Sequence, residues 1–270
     1  MAPLDDHALA ADLAERAGQL LLSLRAAGGD PDVLRKAGDR QSHEFLMAEL
    51  ARERPADAVL SEEGTDDKAR LAADRVWIVD PLDGTREFGD AGRTDWAVHV
   101  ALWSRAAASG AGQEGDLVAG AVALPAQGRV LSTANPPARP GEASGAAAAD
   151  QETADRQLRL VVSRSRASQL VKDVGALIGA ELVPCGSAGA KAATVITGEN
   201  DAYLHSGGFY EWDTAAPVAV ARAWGLHVSR IDGSPVEYNQ DNPLLPDILV
   251  CRPAISSLLL NAIREATHAI

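Results

Sequence analysis

The apolar run Val76-Trp77-Ile78-Val79 ends in Asp80-Pro81-Leu82-Asp83-Gly84-Thr85, and this ending constrains the fold more than any other segment. Four consecutive apolar residues, β-branched or aromatic, read as a short buried strand. Asp80 is therefore delivered to the end of a rigid element. Pro81 removes an amide donor and fixes φ, while Gly84 permits a backbone conformation that larger residues resist. The chain is expected to turn here, returning Asp83 beside Asp80 with the Leu82 carbonyl between them. Two carboxylates and a carbonyl from one turn suit a hard cation that prefers oxygen. The same six residues also fit a plain turn whose carboxylates bond backbone amides, and alone they do not separate the two readings.

Two further acidic segments bear on the choice. Ser61-Glu62-Glu63-Gly64 follows the strand-like Ala58-Val59-Leu60, so Glu62 could join the Asp80 cation and hold a water. A lone loop glutamate is otherwise an exposed, solvated group. Glu211-Trp212-Asp213 precedes a helix expected over 214–224, which puts Asp213 at the N-cap. A capping carboxylate keeps one oxygen free, so capping and ligation are compatible. Pro217 then falls in the first helical turn, where its missing amide costs least.

Charge agrees with a bound cation. The 270 residues carry 25 basic and 38 acidic side chains, a formal charge of −13. Such a surface repels nucleic-acid backbones and anionic membranes, and any phosphate site in it needs local positive charge. Divalent cations are the obvious source. No apolar run is long enough to cross a bilayer, and the start Met1-Ala-Pro-Leu-Asp-Asp lacks a basic and apolar leader, so the cytoplasm is the expected location. Cys185 and Cys251 stand in no metal or redox spacing and read as reduced thiols, and the six histidines are too scattered for a zinc site.

Leu9, Leu13, Ala17, Leu20, Leu21 and Leu24 predict an amphipathic helix over 6–26, ended by Gly28-Gly29. A second helix is expected after Asp39, through Phe45, Leu46 and Leu50. Strands are expected over 58–61, 75–79, 94–103, 117–124 and 128–132. Segments 104–116 and 134–155, rich in Ala, Gly, Ser and Pro, read as surface loops, the second as disordered. The second half alternates: strand 158–163, a helix through Leu170 and Leu177, strand 181–185, helix 188–196, strand 202–204, helix 214–224, strand 226–231 and helix 255–267. The division is an α+β lobe over 1–133, a loop insertion over 134–156 and an α/β lobe over 157–270.

Taken in order, Asp39, Glu62-Glu63, Asp80 to Thr85 and Trp212-Asp213-Thr214-Ala215-Ala216 resemble the pattern of the inositol monophosphatase superfamily, lithium-sensitive and magnesium-dependent phosphatases. The resemblance implies a layered αβαβα fold with the metal site at the lobe interface. It implies one Mg²⁺ held by Glu62, Asp80 and the Leu82 carbonyl, and a second by Asp80, Asp83 and Asp213. Glu62 and Thr85 would orient the attacking water, and Asp39 would support that network or a third ion. Two such cations could stabilise both the attacking and leaving oxygens. The early element departs from the family pattern: Gly38 precedes Asp39, and His43 stands where a glutamate is usual.

Within the superfamily the resemblance is to the 3′(2′),5′-bisphosphate nucleotidases of sulfur assimilation. Val162-Ser163-Arg164-Ser165-Arg166, Gly186-Ser187 with Lys191, Asp201-Ala202-Tyr203 and Asp232-Gly233-Ser234-Pro235 carry it. It implies removal of the 3′-phosphate from 3′-phosphoadenosine 5′-phosphate, the sulfated form being a second substrate. Ser163, Arg164, Ser187, Lys191 and helix-start amides would receive the phosphate that is not cleaved, with Gly84 and Asp213 also at the substrate. Ser187 equally fits a helix cap, Lys191 a solvated lysine, and Tyr203 a core residue rather than a platform for the base. An inositol monophosphatase, a fructose-1,6-bisphosphatase and a non-catalytic magnesium- and phosphate-binding protein are the alternatives. The expected partner is thus a small phosphorylated nucleotide, with neither nucleic acid nor membrane. No interface stripe separates a monomer from a homodimer.

Overall fold

The computed structural model describes residues 4–107, 114–136, 156–165 and 167–268. The expected loop over 134–155 lies outside them beyond residue 136, as does much of 104–116.

Helix α1 (Asp6–Ala27) forms because Leu9, Leu13, Ala17 and Leu21 recur every fourth residue, giving one buried stripe. Asp5 caps it by accepting from the Ala8 amide at 2.8 Å, and Gly28 ends it at φ 70°. Helix α2 (Pro31–Glu53) starts at once, with Asp30 as N-cap and Pro31 in its first turn. Asp39 therefore sits inside this helix, not ahead of it as expected. The cap-and-proline pair carries the helical start back by two turns.

Five strands follow: β1 (Ala58–Ser61), β2 (Arg75–Asp83), β3 (Ala97–Ser104), β4 (Asp116–Leu124) and β5 (Arg129–Ser132). They hydrogen-bond in that order, β1 parallel to β2 and the rest antiparallel. Strand β2 is buried on both faces. Trp77 and Val79 join Leu9, Leu13 and Leu21 under α1 and α2, while Val76 and Ile78 face the middle of the molecule. Each large apolar side chain so buried contributes about 1.5–3 kcal/mol. The short helix α3 (Thr85–Gly89) follows β2.

The second sheet holds β6 (Arg159–Ser163), β7 (Glu181–Cys185), β8 (Ala202–Tyr210), β9 (His227–Ser229) and β10 (Leu244–Cys251), in the order β7-β6-β8-β10-β9. Between the sheets lie α5 (Ala188–Ile196) and α6 (Glu211–Ala223), packed on Val161, Tyr203, Ile248 and Val250. Helices α4 (Gln169–Leu177) and α7 (Ser256–His268) cover the outer face through Val171, Val174, Leu259 and Ile263. The layers run helix, sheet, helix, sheet, helix, as the expected αβαβα architecture requires. Among the described residues, no helix is long and apolar enough to cross a membrane.

Two further expectations are corrected. Strand β10 pairs with both β8 and β9 yet was not foreseen, because Pro246 and Asp247 interrupt its apolar pattern. Pro217 lies at the seventh residue of α6, inside the helix, where it removes the bond that would run to the Asp213 carbonyl.

Candidate metal centre

Strand β2 does not turn away at Asp80; it continues to Asp83 through a bulge. Asp80 stands opposite His99 and Asp83 opposite Ala97, so three steps on β2 match two on β3. In a regular strand, residues three apart point to opposite faces. The extra residue restores the phase and puts both carboxylates on one side. The Ser42 hydroxyl of α2 pins the bulge by donating to the Pro81 carbonyl at 2.7 Å.

Two other elements deliver the remaining ligand candidates. The Glu62 amide donates to the Val79 carbonyl at 3.3 Å, extending the β1–β2 ladder and placing Glu62 beside Asp80. Asp213 is the third residue of α6, not its N-cap; its Oδ2 reaches back to the Tyr210 amide at 2.6 Å. Capping is thus achieved from inside the helix, with the other oxygen left over. One carboxylate oxygen from each of Asp80, Asp83 and Asp213 lies within 4.8 Å of the other two. Three carboxylates at this spacing fit an oxygen-loving divalent cation.

Asp83 is the anchored member. It accepts from the Gly189 amide at 2.6 Å and the Ala188 amide at 3.2 Å, both in the first turn of α5. Burial alone would raise its pKa, but the contacts to His99, Lys191 and the Gly189 amide hold it below the ordinary value. The others have one amide donor each, Leu82 for Asp80 at 3.0 Å and Tyr210 for Asp213, and it does not outweigh their burial. Burial, then repulsion from Glu62, Asp83 and Asp213, push Asp80 well above the carboxylate range. Burial raises Asp213 to about 6, helped by Asp83. Glu62, an exposed residue whose carboxyl nonetheless rests on Asp80, is pushed to about 7 by desolvation and its three acidic neighbours. Stacked carboxylates without a counter-charge take up protons.

Asp39 reaches the centre because Gly38 lets α2 approach. A Cβ on Gly38 would come within 2.8 Å of Phe88 and 2.9 Å of Leu82. Thr85 Oγ1 lies 3.2 Å from Asp39 Oδ1 and 3.2 Å from the Leu82 carbonyl, so its single hydrogen chooses between them. Desolvation and Glu63 raise Asp39 to about 6. Gly84 holds the turn at φ 87°, with Ser187 2.9 Å from where a Cβ would sit.

Above the carboxylates opens a cavity of about 280 Å³, reaching from Glu62 and Thr85 past Ser163, Arg164 and Ser187 to Tyr203, His205 and Phe209. The expected substrate residues are therefore gathered, with three differences. Lys191 is not solvated: it is buried, donates to the Gly186 and Ser187 carbonyls at 2.5 and 2.8 Å, and lies 5.3 Å from the Tyr203 ring centre. Arg164 pairs with Glu87 at 2.6 Å. The helix-start amides of α5 are already taken, two by Asp83 and the Ala190 amide by the capping Ser187 hydroxyl at 2.9 Å. Residue reasoning missed His99, His205, Phe209 and Glu87. The signal for His99 was its place in the apolar run Val98-His99-Val100.

Fit at the α5 start is tight. A Cβ on Gly189 would meet His99 Nε2 at 2.1 Å and the Ala97 Cβ at 3.1 Å. Gly189→Ala is expected to cost about 1–3 kcal/mol of overpacking, read as a lower melting temperature in calorimetry.

These elements define a layered αβαβα protein with a carboxylate cluster for a metal ion under an open cavity. Residues 8–268 match the inositol monophosphatase family, and the chain belongs to that family. It is 49% identical over 266 residues to the 3′-phosphoadenosine 5′-phosphate phosphatase of Mycobacterium leprae, covering 98% of this chain and 95% of the relative. The protein of the same name from Mycobacterium tuberculosis is 51% identical over 252 residues, covering 93% and 90%. Among solved structures, CysQ from Bacteroides thetaiotaomicron, a bacterial member of the same family, matches with a TM-score of 0.70 at 29% identity, over 91% of this chain and 96% of that one.

Proposed function

We propose that this chain is a Mg²⁺-dependent phosphatase that removes the 3′-phosphate of 3′-phosphoadenosine 5′-phosphate, giving AMP and inorganic phosphate, with the 5′-phosphosulfate as a second substrate. The observation that carries the reading is the convergence of Asp80, Asp83 and Asp213 beneath the cavity, in a chain about half identical along nearly its whole length to two proteins named for that reaction. The cavity wall adds support for a nucleotide. The His205 and Phe209 rings stack at 4.6 Å beside the buried Tyr203, giving the cavity an aromatic wall that suits a purine better than a polyol.

Glu62, Asp80 and the Leu82 carbonyl would hold one Mg²⁺, and Asp80, Asp83 and Asp213 a second. Bound there, the metal would polarise the phosphoryl group and make water acidic enough to attack near neutral pH. The chain's own residues orient that water. Above its pKa of about 6, Asp39 is a carboxylate, so Thr85 Oγ1 donates to it and keeps lone pairs for a water proton. Glu62, beside Asp80, is the second acceptor for the same water. For the uncleaved phosphate, Lys191 has one ammonium hydrogen beyond the two it spends on carbonyls. Ser163 lines the same wall. Arg164 would exchange Glu87 for phosphate, and Glu87 thereby tunes how tightly that anion is held. We place the enzyme in the cytoplasm, where both free thiols stay reduced.

Phosphate release from the nucleotide, an inositol monophosphate and fructose 1,6-bisphosphate at equal concentration tests the reading. The nucleotide is expected to give the highest kcat/KM. A preference for either sugar phosphate would overturn the substrate assignment. Mg²⁺ binding without turnover of any of the three would make the chain a binding protein.

A further inference from the structure

We infer that His99 is a positioning residue that sets the distance between Asp83 and Asp213, shaping the cation site from below. The inference rests on the proposed reading of those two carboxylates as metal ligands. His99 stands on β3 directly opposite Asp80 and is fully buried. Its ring touches both ligand-bearing elements. Nδ1 lies 3.1 Å from the Trp212 carbonyl, the residue before Asp213, and Nε2 lies 3.2 Å from Asp83 Oδ2. A carbonyl only accepts, so Nδ1 carries a hydrogen and donates. The Nε2 contact is within ion-pair distance but off the direction of a good hydrogen bond.

The other sides of both ligands are already fixed. Asp83 is held by the α5 amides and Asp213 by the Tyr210 amide. The imidazole closes the remaining gap, spanning from β2 to the start of α6. An apolar residue of equal size would fill the space but leave the Trp212 carbonyl without this donor. The room itself is made by Gly189, where any Cβ would collide with Nε2. Groups behind metal ligands that fix their orientation commonly govern affinity about 10–100-fold.

Two near-isosteric variants separate the ends of the ring. In His99→Asn the side-chain nitrogen replaces Nδ1 and keeps the bond to Trp212. In His99→Gln it replaces Nε2 and keeps the contact to Asp83. Isothermal titration calorimetry with Mg²⁺ is expected to show about 10–100-fold weaker binding in both. A lower melting temperature with unchanged Mg²⁺ affinity would make His99 mere core filling and overturn the inference. Weakening in one variant alone would overturn the two-ended link. Should neither variant fold, the wild-type protein decides: the His99 ring ¹⁵N signals are expected to shift in step with Mg²⁺ saturation, and signals that stay still overturn the proposal. A wild type that binds Mg²⁺ without cleaving nucleotide removes the proposed reaction and leaves this test intact. One that binds no Mg²⁺ removes both.

Discussion

Asp83→Asn is expected to lower kcat on the order of 10³-fold while leaving the protein folded. The substitution keeps the shape of the side chain and removes its charge. A metal ion's stabilisation of phosphoryl transfer is worth several kcal/mol, and each 1.36 kcal/mol is about a factor of ten in rate. Asp83 is the best-fixed member of the carboxylate cluster, held by two α5 amides, so its loss also removes the most rigid reference point of the site. The structural cost is smaller. An asparagine can accept from one of the Ala188 and Gly189 amides with its oxygen, but its NH₂ group faces the other. One buried donor left over costs about 1–3 kcal/mol, a fall of about 2–4 °C per kcal/mol for a chain this size. Steady-state kinetics at saturating Mg²⁺ and a thermal melt read the two effects separately. Wild-type turnover would remove Asp83 from the centre, and loss of the cooperative melt would make its role structural.

What could be read from residues depended on how local the cause was. Helix α1 and strands β1 to β5 follow from periodicity and cap residues within each segment, and they were legible. Strand β10 was not, because a proline and an aspartate sit where it bulges between Leu245 and Asp247; only its neighbours β8 and β9 make it a strand. The metal ligands were legible as a set of acidic segments in order, but their geometry was not. Asp80 and Asp83 share a face because of a bulge whose register is set by β3, a strand not in their own segment. His99 shows the limit most clearly. In the chain it is one polar residue in an apolar run, and its meaning appears only when β2, β3 and α6 are brought together. The substrate wall divides the same way: Lys191 resembled a helix-surface lysine until the sheet placed Tyr203 over it.

Mg²⁺ is expected to raise the melting temperature by more at pH 8 than at pH 5. The reason is the set of elevated carboxyl groups around the centre: Glu62 at about 7, Asp39 and Asp213 at about 6, and Asp80 well above the ordinary carboxylate value. For an acid whose folded pKa lies above its unfolded value, the folded state binds more protons between the two. Stability therefore falls as pH rises across that interval. The metal-free protein should lose stability from about pH 4 to about pH 7, as these desolvated and mutually repelling groups ionise. Asp83 runs oppositely, since its pKa is held down: its contribution is present above the unfolded value and lost on acidification below the folded one. Asp6, Glu49, Asp66, Asp95, Asp201 and Asp232 are held down in the same way and, like Asp83, change at or below the lower end of that interval, so across it the raised groups set a downward slope. A bound dication stands in for the lost hydration of these carboxylates and offsets their mutual repulsion, the two causes of the slope in that order. At low pH it must first displace protons, and at pH 8 it meets carboxylates already ionised. At a concentration about a hundred times its dissociation constant, a ligand specific for the folded state adds about 2.7 kcal/mol, or about 5–10 °C here. Calorimetric melts with Mg²⁺ and with a chelator, at both pH values, give the comparison. An equal Mg²⁺ increment at pH 5 and pH 8 would mean that the ion binds away from these carboxylates.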